Sequence, residues 1–385
     1  MRYHSFDALR TFAMLSGIVV HASMPYWLEL INAENSWPTD SNQSISLQLI
    51  YIFIHSWRMP VFFLLAGFFA HLLIQKKTIL FFISNRIKRI AIPLLIFSPI
   101  IFMTTIILKW YGFIENQSII DLISKEGIQT INSFINEQIL NGDLFGHLWF
   151  LYYLLLMYIF LLLSNLLISN IKSALTIKRI INKYCFGSYP YLLIFSTIFF
   201  LLWRELSNGE AKPFWPINWA DLSYHYLFFL YGFGLYSNKH LITSFAELKK
   251  IGIMFFIGII AFIVYLGGFY DYGIKTLIIK NNLFLLFYGI ASVNFSIVLL
   301  GLFQKILPSF NRKIRWVSDS SYWIYIIHQP ITMFIAFYLF RYNWMAELKF
   351  AIICLITLFI GIVSYKYLVR NTIINFLLNG KILSK

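Results

Sequence analysis

The chain of 385 residues is 59% hydrophobic and only 12% charged, against about 45–50% and about 25% in ordinary soluble domains. With a mean hydropathy of +0.72, it carries more apolar surface than a soluble core of this size buries. That surface is enough for about ten spans of ~20 residues each. The excess of 31 Lys and Arg over 16 Asp and Glu is therefore read first as a membrane-topology signal, and no nucleic-acid partner is expected.

In chain order, apolar runs of spanning length fall at 9–30, 47–74, 91–110, 146–169, 188–204, 222–237, 251–269, 276–303, 320–340 and 347–368. The first is expected to be a retained helix, because no small-residue cleavage site follows it. Ten spans put both termini on one side. Sorting the connecting segments accordingly gives 22 Lys and Arg on that side and 8 on the other, with Arg58 inside a span. The positive-inside rule then places both termini in the cytoplasm. The expected fold is all-α: a polytopic membrane protein, a bundle of about ten transmembrane helices. It is read as a single domain over 1–385 with no fused soluble domain. Residues 31–46 and 111–145 are the longest outward segments, with a weak amphipathic pattern over Ser118–Ile139. Cys185 falls in a basic loop and Cys354 in an apolar run, so no disulfide is expected between them.

Charges inside hydrocarbon are costly and need a reason. In the first span Asp7, Arg10, Met14, Gly17 and His21 are spaced three and four apart, which makes one helical stripe. Asp7 and Arg10 stand at the cytoplasmic mouth, and His21 lies about 16 Å deeper, near mid-membrane. A purely structural account also exists: Asp7 caps the helix, Arg10 snorkels and His21 bonds a carbonyl. In the second span Arg58, also near mid-membrane, follows His55 by three and precedes Pro60. It must face a cavity, a carboxylate or an anionic ligand. Arg86 and Arg89, read as closing the first cytoplasmic loop ahead of Pro93, suit phosphates or simple topology. His147-Leu-Trp149 opens the fourth span at its outer end, where His147 is either a cap or a ligand and Trp149 an interfacial anchor. In the ninth span Tyr325 and His328 share a flank ahead of Gln329-Pro330. His21, Arg58 and His328 thus have comparable depths on three spans. The sequence contains no Gly-x-Ser-x-Gly, His-Glu-x-x-His, phosphate-binding glycine loop or Cys/His metal spacing, so no metal is expected.

These residues resemble the acyltransferase-3 family of bacterial membrane O-acyltransferases. The resemblance rests on Arg10 and His21 with ten residues between them, on Phe62–Phe69 around Ala66-Gly67, on Arg86…Arg89…Pro93 and on Tyr325…His328-Gln-Pro. Residues 53–59 and 147–151 look nearest to its glucan biosynthesis protein C (succinyltransferase) branch. The resemblance implies an acetyl or succinyl donor, acetyl-CoA or succinyl-CoA, on the cytoplasmic side of the bacterial inner membrane. It implies as acceptor a hydroxyl of a cell-envelope glycan: periplasmic glucan, lipopolysaccharide or another polysaccharide. His21 would be general base or acyl acceptor, Arg58 an oxyanion stabiliser, and Asp7 the holder of Arg10. Arg10, Arg86 and Arg89 would receive the donor's phosphates, with Tyr325, His328, His55 and His147 orienting donor or acceptor. A transporter or flippase for a glycan or lipid-linked sugar is the rival reading.

Overall fold

The computed structural model describes residues 3–28, 37–115, 136, 143–169, 186–187, 189–206, 217–271, 278–309 and 311–380. The Ser118–Ile139 expectation lies, but for residue 136, outside the described residues, as does Cys185; Cys354 is a free thiol. Every regular element described is helical. In chain order these are α1 (His4–Ser23), α2 (Ile45–Lys76), α3 (Ile79–Arg86), α4 (Ile92–Glu115), α5 (Trp149–Ser169), α6 (Tyr191–Leu206) and α7 (Trp219–Ser237). They continue with α8 (His240–Phe245), α9 (Leu248–Asp271), α10 (Ile278–Ile306), α11 (Arg312–Leu339), α12 (Ala346–Ser364) and α13 (Ile373–Asn379).

Each of the ten apolar runs overlaps one of these helices. Among the described residues, seven helical segments are both long and apolar enough to cross a membrane: Ile45–Lys76, Ile79–Glu115, Leu144–Ser164, Leu248–Gly268, Phe284–Ile306, Arg312–Leu339 and Ala346–Val369. The helices of the other three runs are α1, α6 and α7. α1 carries the Asp7–His21 stripe and α7 carries Asp221 and His225, which lowers their hydropathy. α1 is nevertheless central, packing on α11, α2, α10 and α12. α9 and α12 are the least buried spans, with Phe256, Ile263, Leu355 and Phe359 exposed where an apolar solvent would sit.

Two boundaries differ from the sequence reading. The first run was expected to continue to residue 30, but α1 ends at Ser23 in a 3-10 turn, Met24–Tyr26. Pro25 has no N–H to continue the ladder. His21 therefore sits in the last turn of its helix. Arg86 and Arg89 are likewise not in a loop. α3 starts at Thr78, whose hydroxyl accepts from Phe81 N–H at 3.2 Å. It runs through a π-helical turn, Ile87–Ala91, into α4.

The chain returning from α1 is fixed from several sides. Asp40 N–H donates to the Pro25 carbonyl at 2.8 Å and Ser44 N–H to the Tyr26 carbonyl at 2.9 Å. Ser44 also caps α2 and donates to Glu347 of α12 at 2.5 Å. Lys349 Nζ donates to Asp40 Oδ2 at 2.6 Å, with both side chains fully buried. A buried pair loses little when replaced whole but much when one member is removed. Asp40→Ala is expected to cost about 3–5 kcal/mol, read as a lowered thermal transition in detergent. Asp40→Leu with Lys349→Met should recover most of that loss.

Candidate active site

Three helices and one turn bring the site together. On α1, Gly17 has no side chain, and that gap admits both partners. A Cβ there would lie 2.6 Å from Arg58 Nη2 of α2 and 3.0 Å from His328 Nε2 of α11. Arg58 is 6% exposed and its Nε donates to the Ala13 carbonyl of α1 at 3.2 Å. No carboxylate pairs with it among the described residues. One turn from Gly17, the His21 ring stands 5.1 Å from the His328 ring and 6.0 Å from the His147 ring, centroid to centroid. His147 and His328 are 4.8 Å apart. Similar depth on separate spans has thus become contact.

Prolines make the cluster possible. Pro330 inside α11 cannot donate to the carbonyl four residues back, that of Ile326. His147 Nε2 approaches that oxygen at 3.1 Å and the Tyr325 carbonyl at 2.9 Å. His147 Nδ1 lies 2.7 Å from Gln329 Oε1, and Tyr325 Oη donates to the His147 carbonyl at 2.6 Å. Both His147 nitrogens are thus committed to protein partners, which makes it a positioning residue. It sits in the 3-10 turn Asp143–Leu148, which depends on Gly146 at φ 48 and ψ −138. That combination is essentially restricted to glycine.

His328 differs. Its Nδ1 donates to the Tyr325 carbonyl at 2.6 Å, so the neutral ring keeps a lone pair on Nε2. That atom is buried and has no partner, and the same is true of His21 Nδ1. Two imidazole nitrogens and one guanidinium therefore converge without mutual satisfaction, as a site awaiting a ligand would. Below them Ser321 Oγ donates to Met14 Sδ of the stripe at 3.3 Å.

Towards the chain's N-terminal end lies a second group. Arg10 Nη2 is 3.6 Å from Asp7. Arg86 donates to Tyr158 Oη at 3.4 Å, with its guanidinium over the Phe82 and Tyr158 rings at 5.2 and 5.1 Å. Arg89 donates to the Asn379 carbonyl, at the C-terminal end of α13, at 2.8 Å, a favourable position for a cation. Pro93 leaves the Arg89 carbonyl without a helical donor, and Tyr322 Oη donates to it at 2.7 Å. Arg10 and Arg86 lie within electrostatic reach of Arg89. Arg10 and Arg86 each also keep a buried Nε without an acceptor. Three crowded guanidiniums, two of them with a spare buried donor, are arranged for a polyanion.

At the other end of the cluster, His55 is exposed and stacks on Tyr51 at 5.0 Å, which in turn meets Trp27 edge-on at 4.3 Å. Both ring systems are within electrostatic reach of the cluster, His55 of His21 and Tyr51 of Arg58. Every site residue read from the sequence is thus in one of three adjoining groups. Those the sequence reading missed are Gly146, Tyr51, Trp27 and Tyr158. A glycine directly before the span-opening histidine was the one legible signal among them.

No group of three or more His, Cys, Asp or Glu among the described residues is arranged to hold a metal. Compared with known proteins, the chain matches the family described as an acyltransferase domain over residues 3–366. It belongs to the acyltransferase-3 family. It is also similar to "Glucans biosynthesis protein C" of Escherichia coli O1:K1, O45:K1 (strain S88) and O17:K52:H18 (strain UMN026). Each is 26% identical over 397 residues, covering 99% of this chain and 95% of the relative. No solved structure matches. As a family member, the chain is a multi-pass membrane acyltransferase, and the unsatisfied cluster on α1, α2 and α11 lies within the matched residues.

Proposed function

We propose that this acyltransferase moves an acetyl or succinyl group from acyl-CoA to a hydroxyl of a cell-envelope glycan. The donor enters at the arginine-rich end, which is the cytoplasmic end of the inner membrane on the charge distribution. The observation that carries the reading is the meeting of His21, His328 and Arg58 around Gly17, with two imidazole nitrogens left open.

The chemistry follows from those atoms. An imidazole of the cluster, His21 in the first place, takes the proton of the acceptor hydroxyl as its oxygen attacks the thioester carbonyl. Negative charge grows on the carbonyl oxygen, and the buried Arg58 guanidinium stabilises it. Collapse breaks the carbon–sulfur bond, the thiolate takes the proton from the imidazolium, and the products are a sugar ester and CoA. Alternatively His21 accepts the acyl group first and passes it on; the atoms balance in the same way. His147 holds the α11 segment that presents His328. Asp7 orients Arg10.

The acceptor side is served by Trp27, Tyr51 and His55. Flat rings with polar edges suit sugar rings, whose C–H faces stack and whose hydroxyls accept and donate. The name of the E. coli relatives, glucans biosynthesis protein C, supports a glucan as the acceptor.

If Arg10, Arg86 and Arg89 hold phosphates, alanine at each is expected to raise the KM for acyl-CoA about tenfold or more, from a lost charge-assisted bond. The KM for the glycan should hold. Lysine should rescue only in part, as a point charge without the forked geometry. Steady-state kinetics with purified protein tests this, and unchanged donor KM in all three variants would return them to a topological role.

A further inference from the structure

After α12 the chain passes through a π-helical turn, Tyr365–Val369, and Arg370 into α13, which packs on the π-helical turn Ile87–Ala91 that carries Arg89. The inner side of this segment is a relay of amide bonds. Asn375 Nδ2 donates to the Arg370 carbonyl at 2.7 Å. Asn379 Nδ2 donates to Asn375 Oδ1 and to the Asp319 carbonyl of α11, both at 2.8 Å, and the Asn379 carbonyl accepts from Arg89. The outer side is different. Tyr367 and Ile373 are each 70% exposed, and Leu368 and Phe376 are exposed beside them. Among these apolar side chains stand two cations. Lys366 is exposed, its Nζ 4.9 Å from the Tyr367 ring centroid. Arg370 is half-buried, and its Nε is buried without an acceptor. No carboxylate pairs with either among the described residues.

We infer that Lys366 and Arg370 form a binding site for the phosphate of an anionic phospholipid, whose headgroup holds α13 against Arg89. The lipid site stands on its own contacts; only its effect on Arg89 rests on the acyl-CoA reading above. Exposed apolar side chains interleaved with cations at the end of a membrane bundle suit the boundary between acyl chains and headgroups. Tyr367, Leu368, Ile373 and Phe376 meet the chains, and the cations meet the phosphate. A buried guanidinium donor needs an acceptor, and a phosphate oxygen is one that its fork matches. The charge balance selects the lipid. A zwitterionic headgroup brings its own cation, which Lys366 and Arg370 repel, whereas an anionic headgroup leaves a net negative charge for them. With the headgroup in place, the Arg370 backbone is fixed. Asn375, bonded to its carbonyl, and Asn379, bonded to Asn375, are then fixed with it. Arg89 is thereby presented in one position by a helix that the bilayer surface itself holds down.

The test places the purified full-length protein in nanodiscs of phosphatidylglycerol and phosphatidylcholine in equal parts, then counts the lipids it retains by native mass spectrometry. Wild type should retain phosphatidylglycerol in preference to phosphatidylcholine. Lys366→Gln and Arg370→Gln should each cut that preference about fivefold. Arg370→Lys, which keeps the charge, should restore most of it, as a folding defect would not. Arg312→Gln with Lys313→Gln, which removes two exposed cations from the first turn of α11, should leave the preference unchanged. In parallel, the KM of wild type for acyl-CoA should be about fivefold or more higher in phosphatidylcholine discs than in phosphatidylglycerol discs. Arg370→Gln should show the higher KM in both. Equal retention by wild type and the glutamine variants, or an equal loss in the α11 pair, overturns the lipid site. Selective retention with one KM in both lipids overturns the link from α13 to Arg89. Selective retention by a protein that transfers no acyl group would overturn the proposed function and leave the lipid site standing.

Discussion

His21→Ala is expected to lower acyl transfer by about 10²–10⁴-fold while the protein inserts and accumulates normally. The ring's Nδ1 has no hydrogen bond to lose, and His21 sits in the last turn of α1. Its removal therefore costs chemistry and little packing. Ester formation on glycan, compared at equal protein in isolated membranes, is the readout. Wild-type levels of modified glycan in this variant would remove His21 from the mechanism and leave His328, with its open Nε2, as the imidazole to test.

Arg58→Met is expected to have the other large effect, about 10²–10³-fold in kcat, the cost typical of losing a charge aimed at an oxyanion. Methionine keeps the length of the stem and its packing over Gly17. Two uses of the guanidinium separate by donor. An oxyanion stabiliser affects acetyl and succinyl transfer alike, whereas a clamp on the free carboxylate of a succinyl group affects mainly succinyl transfer. The geometry favours the first, because Arg58 lies against His328 at Gly17, where the reacting carbonyl must be. Parallel assays with both donors decide it.

Much of this was legible in the sequence, for a physical reason. Apolar runs, basic asymmetry and the three-and-four spacing of Asp7, Arg10, Gly17 and His21 are properties of single helices, and helices in lipid have little freedom to be anything else. The ionisable residues within those runs were flagged by their cost alone. What stayed hidden depends on relations between segments. His147 read as a residue at the outer edge of its span. It joins the cluster because Gly146 turns the chain and because Pro330, 184 residues later in sequence, exposes a carbonyl for it. The end of α1 at Ser23 was not read either, because the apolar run continues past Pro25. Asp40 is buried and matched by Lys349 of α12. No single-helix pattern encodes such partners.

The central claim is that the Gly17 cluster transfers an acyl group from acyl-CoA to a glycan hydroxyl. It is tested most directly by incubating the purified protein with acyl-labelled CoA and periplasmic glucan. The account predicts label in the glucan as an alkali-labile ester, one CoA thiol released per ester formed, and neither product from His21→Ala. Folded wild-type protein that releases no thiol and leaves the glucan unlabelled with either acetyl-CoA or succinyl-CoA would contradict it.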